Sequence, residues 1–137
     1  MTGHGAPDIF ISHARQDRSY ADLLKGYLLA RDHSVWSDED VAPGEDWADA
    51  VTRAVEDSRV VLLLVSPGYV ESQSSLYEAG VALAKMRDRK GKVISILLSD
   101  PEPSMLPLPV RTSAVLDARH LDRKELFGKL DELLEDS

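Results

Sequence analysis

Val60-Val61-Leu62-Leu63-Leu64-Val65, closed by Ser66-Pro67-Gly68, decides the fold. Six unbroken aliphatic residues lack the polar–apolar alternation of a half-exposed strand. A run this short, bounded by valines and stopped by Pro-Gly, reads as a central strand buried on both faces. Such strands occur in parallel sheets whose two sides are covered by helices.

Working outward, the flanks supply those partners. Upstream, Trp47 to about Asp57 carries Val51, Ala54 and Val55 on one helical face, with Asp46 as its cap. Ser34 to Ser37 reads as a short strand. Tyr20, Leu23, Leu24, Tyr27 and Leu28 recur at helical spacing behind a cap at Asp17 or Ser19. Asp8 to Ser12 is a first strand, with Phe10 in the core. Downstream, a helix is expected from about Leu76 to Arg87, then a two-sided strand from Val93 to Leu98. Asp100 to Pro109 holds four prolines and reads as irregular loop. Ala114 to Leu116 is a last short strand. Arg123 to Leu134 closes the chain with Leu126, Phe127, Leu130, Leu133 and Leu134 on one side.

The expected fold is therefore α/β: a flavodoxin-like doubly wound sheet of about five parallel strands with helices on both faces. Ligands in such folds sit beyond the carboxyl ends of the strands. That edge holds Ser12 to Asp17, Trp36 to Gly44, Ser66 to Ser75 and Ser99 to Pro109. Residues 1–7 are expected to be a flexible leader and 8–137 the domain.

Bulk properties narrow the chemistry. The chain has 137 residues, no cysteine and a net charge of −8. Without cysteine there is no disulfide framework, no thiolate nucleophile and no thiolate metal site. The acidic balance lacks the cationic footprint of a nucleic-acid binder. No apolar run reaches the roughly 20 residues that span a bilayer, so a cytoplasmic location is expected. His4, His13, His33 and His120 show no metal spacing, and no metal is expected. Asp38, Glu39 and Asp40 resemble a magnesium-binding receiver edge. The third strand, however, ends at Ser66, where a receiver needs Asp. There is no phosphate-binding glycine loop, dinucleotide fingerprint or nucleophile elbow.

Four segments, in order, resemble the Toll/interleukin receptor (TIR) domain family, bacterial-type. Phe10-Ile11-Ser12-His13 with Asp17 resembles the first box. Asp38 to Trp47, with Pro43-Gly44, resembles the second. Leu63 to Tyr69 resembles the third strand and its exit. Ser72, six residues before Glu78, fits a Ser-x-Trp-Cys-x-x-Glu pattern in which Ser74 and Ser75 replace the Trp and Cys. The Phe-Trp third box is absent.

That resemblance implies an NAD⁺ nucleosidase, with Glu78 catalytic and NAD⁺ as substrate rather than cofactor. The products would be nicotinamide and ADP-ribose or a cyclic isomer, in bacterial immune signalling or antiphage NAD⁺ depletion. It also implies self-association with other TIR domains through the loop at Asp38, Glu39, Asp40, Pro43 and Gly44. Ser12 and His13 would line the substrate site, with Arg15 at the pyrophosphate and Trp47 and Tyr77 as aromatic walls. The alternative is a non-enzymatic TIR–TIR adaptor.

The residues alone leave other readings open. Ser75-x-x-Glu78 is also a capping-box pattern, in which Glu78 folds back onto the Ser75 N–H. His13 is equally an exposed imidazole, Arg15 a solvated loop cation and Trp47 packing beneath the acidic loop. The loop Asp38 to Gly44 is expected to be solvated and free for contacts.

Overall fold

A computed structural model describes residues 8–87, 92–99 and 114–135. The expected leader and Pro-rich loop lie outside these residues. The order is β1 (Ile9–Ser12), α1 (Arg18–Ala30), β2 (Val35–Trp36), α2 (Trp47–Asp57), β3 (Val60–Val65), α3 (Pro67–Glu71), α4 (Gln73–Arg87), β4 (Lys92–Leu97), β5 (Ala114–Asp117) and α5 (Arg123–Glu135).

All five strands are parallel, in the order β2-β1-β3-β4-β5. This is the expected flavodoxin-like sheet. β3 sits at its centre, pairing Val60 to Val65 with Lys92 to Leu97 and Val60 to Leu63 with Ile9 to Ser12. Every residue of β3 is buried, as two-sided coverage requires.

The alternation of the strands splits the core into two layers. Ile9, Ile11, Leu62, Leu64, Ile94 and Ile96 face α1 and α5, meeting Leu24, Leu28, Leu126 and Leu130. Phe10, Val61, Leu63 and Val65 face the other side, meeting Val51 and Val55 of α2 and Ala79 and Ala82 of α4. Burying each large aliphatic side chain contributes roughly 2 kcal/mol, so both layers are needed to hold the sheet.

Local chemistry sets the helix ends. α1 stops in a Schellman arrangement: the His33 N–H donates to the Leu28 carbonyl, the Asp32 N–H to Leu29, and Asp32 takes φ 69°. Asp46 caps α2 by accepting from the Asp49 N–H at 3.1 Å. Asp17, expected to cap α1, makes no cap bond; its carboxylate instead accepts from the Ser66 hydroxyl at 2.5 Å. A longer-range partner has displaced the local one.

Two corrections concern the stretch after β3. Ser66-Pro67-Gly68 ends the strand and also starts a helix. The Ser66 hydroxyl accepts from the Tyr69 N–H at 3.2 Å, and Pro67 takes the first turn, where its missing N–H costs nothing. α4 then begins at Gln73, three residues earlier than the apolar spacing suggested.

Candidate functional site

The site lies at the carboxyl edge, between β1 and β3. The chain leaves these strands on opposite faces of the sheet, so a crevice opens between them. Beside it is a cavity of about 510 Å³ whose wall includes His13, Arg15, Gln16, Arg18, Asp38, Glu39, Trp47, Ser72 and Ser74.

Glu78, on α4, is only 1% exposed and, like Ser12, is not on that wall; it meets the cavity through Asp38, which is. It does not close a capping box. The N-terminal turn of α4 is held by Ser72, whose hydroxyl accepts from the Ser75 N–H at 3.2 Å. Glu78 therefore sits in the second turn, and its Oε1 accepts from the Ser12 hydroxyl at 2.5 Å. A contact 66 residues distant in sequence has won over the backbone N–H three residues away.

Ser12 is itself fully buried, and its Oγ lies 2.8 Å from the Tyr69 hydroxyl. Ser12 has one proton, already donated to Glu78, so Tyr69 is the donor to Ser12. The second carboxyl oxygen, Oε2, is buried and has no hydrogen-bond partner as an acceptor.

This environment pushes the Glu78 carboxyl up to about 9. Burial is the main cause; the Ser12 donor opposes it. The Asp38 carboxylate adds to it twice, by its charge and by accepting from the protonated acid. Free Glu78 is thus a neutral acid at pH 7. With Oε1 accepting from Ser12, Oε2 is the oxygen left to carry its proton. Burial likewise raises the Tyr69 phenol, despite the Ser12 bond, and the Glu78 charge adds to that rise.

The other expected site residues divide. His13 is buried, not an exposed imidazole: Nδ1 lies 2.8 Å from the Ala14 carbonyl and Nε2 3.2 Å from Glu39 Oε1. Arg15 is exposed on the cavity wall and forms no ion pair among the described residues. Gln16 lies across Gly68 so closely that a Cβ there would fall 2.1 Å from its side-chain nitrogen. Trp47 is half-buried against the α2–α4 layer and also lines the cavity. Tyr77 is 41% exposed and not on the cavity wall. It meets Trp47 with ring centroids 5.3 Å apart, tilted by 44°.

The acidic loop is less free than expected. Asp38 to Asp40 form a 3₁₀ turn. Glu39 pairs with Arg18 at 2.8 Å, and Asp40 accepts from the Ser37 N–H at 2.9 Å. Only the tip stands clear. There Pro43 and Gly44 occupy a type II turn, closed by the Glu45 N–H on the Ala42 carbonyl at 3.0 Å, with Gly44 at φ 84°. Asp38 and Glu39 thus belong to the crevice, and Pro43 and Gly44 to the outer surface. No metal-competent group of three His or carboxylate side chains occurs among the described residues. No helix among them is long and apolar enough to cross a membrane.

Sequence reasoning named Tyr69 at the exit of the third strand and Asp38 in the assembly loop, but joined neither to Glu78. Tyr69 had a readable signal in the Ser66-Pro67 helix start, which turns it back under the sheet edge. Asp38 had none, because its approach to Glu78 joins elements 40 residues apart.

The sheet order and the crevice at its switch point define a doubly wound α/β domain. Within that class, a family description "TIR domain" matches residues 9–134, and the chain belongs to that family. Toll-like receptor 4 of Pinctada imbricata is 28% identical over 111 residues, covering 75% of this chain and 12% of that protein. The stimulator of interferon genes protein of Magallana gigas is 30% identical over 105 residues, covering 74% and 25%. The chain thus spans an eighth and a quarter of the length of these relatives. The TIR domain of the Toll-related receptor TRR-2 from Hydra magnipapillata shares the fold at TM-score 0.69 and 20% identity, covering 92% of this chain and 99% of that one.

Proposed function

We propose that this TIR domain cleaves NAD⁺ at the bond between nicotinamide and ribose, with Glu78 as its catalytic carboxylate. The observation that carries the reading is Glu78 itself: a buried carboxyl coupled to Asp38 of the cavity wall, one oxygen held by Ser12 and the other without a partner. An acid this perturbed, beside a cavity, is the kind of group active sites contain.

The chemistry needs one carboxylate. The C1′–N bond breaks, its electron pair neutralises the pyridinium, and nicotinamide leaves without a general acid. The ribosyl residue becomes an oxocarbenium-like cation, stabilised by a fixed negative charge. Water captures C1′ and loses a proton to give ADP-ribose; capture by an atom of the adenosine half gives a cyclic isomer. Glu78, protonated when free, has to ionise to act in this scheme. A cationic nicotinamide ring placed near it favours the ionised form, opposing burial and Asp38.

Supporting roles follow from position. Arg15 carries an uncommitted guanidinium on the wall for the pyrophosphate. Trp47, backed by Tyr77, offers an aromatic surface for a base. Defence by NAD⁺ depletion and a cytoplasmic setting belong to the same proposal.

A second reading, an adaptor assembling through TIR–TIR contacts, is favoured by two observations. Ser74 stands on the wall where the family pattern has Trp, and the Pro43–Gly44 tip is exposed. Incubating the purified domain with NAD⁺ at high protein concentration, with and without crowding agent, separates the two. Nicotinamide release that vanishes in Glu78→Gln supports the enzyme. Silence even in the assembled state supports the adaptor.

A further inference from the structure

The chain of hydroxyls behind Glu78 has a direction. Tyr69 donates to Ser12 at 2.8 Å, and Ser12 donates to Glu78 Oε1 at 2.5 Å. The three residues come from α3, β1 and α4, and none is more than 1% exposed. The Tyr69 ring is part of the same packed layer as Phe10, Val65 and Ala79, so the chain starts from a fixed point. A carboxyl group on a long side chain turns readily about its last bond. A donor aimed at one oxygen removes that freedom and decides which oxygen stays available.

We propose that Tyr69, acting through Ser12, is a positioning residue for Glu78: the directed chain occupies Oε1 and reserves Oε2 for the acid proton. The reservation concerns this acid alone, and its catalytic consequence rests on the NAD⁺-cleavage reading. Its effect on the carboxyl does not.

The groups around Glu78 define what else could move its proton. Asp38 faces it from the turn after β2, and Tyr69 from α3. Ser12, on β1, does not titrate. Beyond Asp38, the described titratable or charged side chains of the cavity wall are His13, Arg15, Arg18 and Glu39. A variant that removes only the Tyr69 hydroxyl leaves all of these in place.

The test is a carboxyl-carbon NMR titration of the full chain carrying labelled glutamate, the Glu78 signal being assigned by its loss in Glu78→Gln. Tyr69→Phe makes Ser12 a weaker donor, and the Glu78 midpoint is expected to rise by about half a pH unit. Ser12→Ala is expected to raise it by about one. The double variant is expected to match Ser12→Ala, because Tyr69 reaches Glu78 only through Ser12. A midpoint unmoved in folded Tyr69→Phe, or shifts that add in the double variant, overturns the proposal. Should Tyr69→Phe fail to fold, an unmoved midpoint in Ser12→Ala overturns it equally.

Kinetics give a second readout. In Tyr69→Phe, kcat for NAD⁺ is expected to fall roughly threefold at neutral pH with KM unchanged, as a half-unit rise in the midpoint requires, and to recover as pH rises. A purely structural tyrosine would lower the melting temperature without moving either profile. A wild-type chain that releases no nicotinamide removes the NAD⁺ reading and leaves the NMR titration to judge the positioning role.

Discussion

Replacing Glu78 by Gln is expected to stabilise the folded chain at neutral pH. The carboxyl stands at about 9 when folded, against an ordinary 4.5. Below 4.5 both states carry the proton, and the acid gives folding its full support. Between 4.5 and 9 the unfolded chain releases the proton while the folded chain keeps it, so stability falls as pH rises. From 4.5 to pH 7, at about 1.4 kcal/mol per pH unit, the loss reaches about 3 kcal/mol. Gln mimics the neutral acid: its carbonyl accepts from Ser12 and its amide donates toward Asp38, yet it never ionises. Urea unfolding of both proteins at pH 5, 7 and 8.5 measures the difference. The variant should gain less than about 1 kcal/mol at pH 5 and about 3 kcal/mol at pH 7, with more at pH 8.5. In thermal melts the gain at pH 7 corresponds to about 10 °C for a domain of this size. A gap that does not grow with pH, or a variant less stable at pH 8.5, would refute the claim that burial holds Glu78 neutral.

Other perturbations follow from the same geometry. Asp38→Asn removes the charge facing Glu78 and should lower its titration midpoint by about one pH unit; an upward shift would show that the two carboxyls do not interact. Ser72→Ala removes the acceptor for the Ser75 N–H and should cost about 1 kcal/mol in chemical denaturation, whereas Ser75→Ala should cost less, since the Ser75 hydroxyl makes no bond. Leu62→Ala, at the centre of β3, should cost about 3 kcal/mol by the same measurement. Gly44→Ala strains a turn at φ 84° and should cost about 1 kcal/mol while leaving the Glu78 titration unchanged.

The sheet was legible because its signal is local. An aliphatic run such as Val60 to Val65 has few other places to go, and the spacing of Leu24 and Leu28 or Leu126 and Leu130 declares one helical face. The family boxes carried the crevice and pointed to Glu78. What escaped was competition between partners. Ser72-Gln73-Ser74-Ser75 offers two overlapping cap patterns, and only Ser12, arriving from β1, decides that Ser72 caps and Glu78 turns inward. Asp17 was a reasonable cap until Ser66 came within reach. His13 stayed open between the substrate site and solvent, because nothing near it in sequence foretells Glu39 meeting the ring.

An acid buried at its own cost has a consequence for any laboratory lineage of this protein. Rounds of directed evolution rewarded only for surviving heat should discard Glu78 early, since an amide at that spot is the steadier choice. Rounds rewarded for turnover should retain it and collect their compensating changes elsewhere, in the aliphatic layers. The two lineages would part at a single codon.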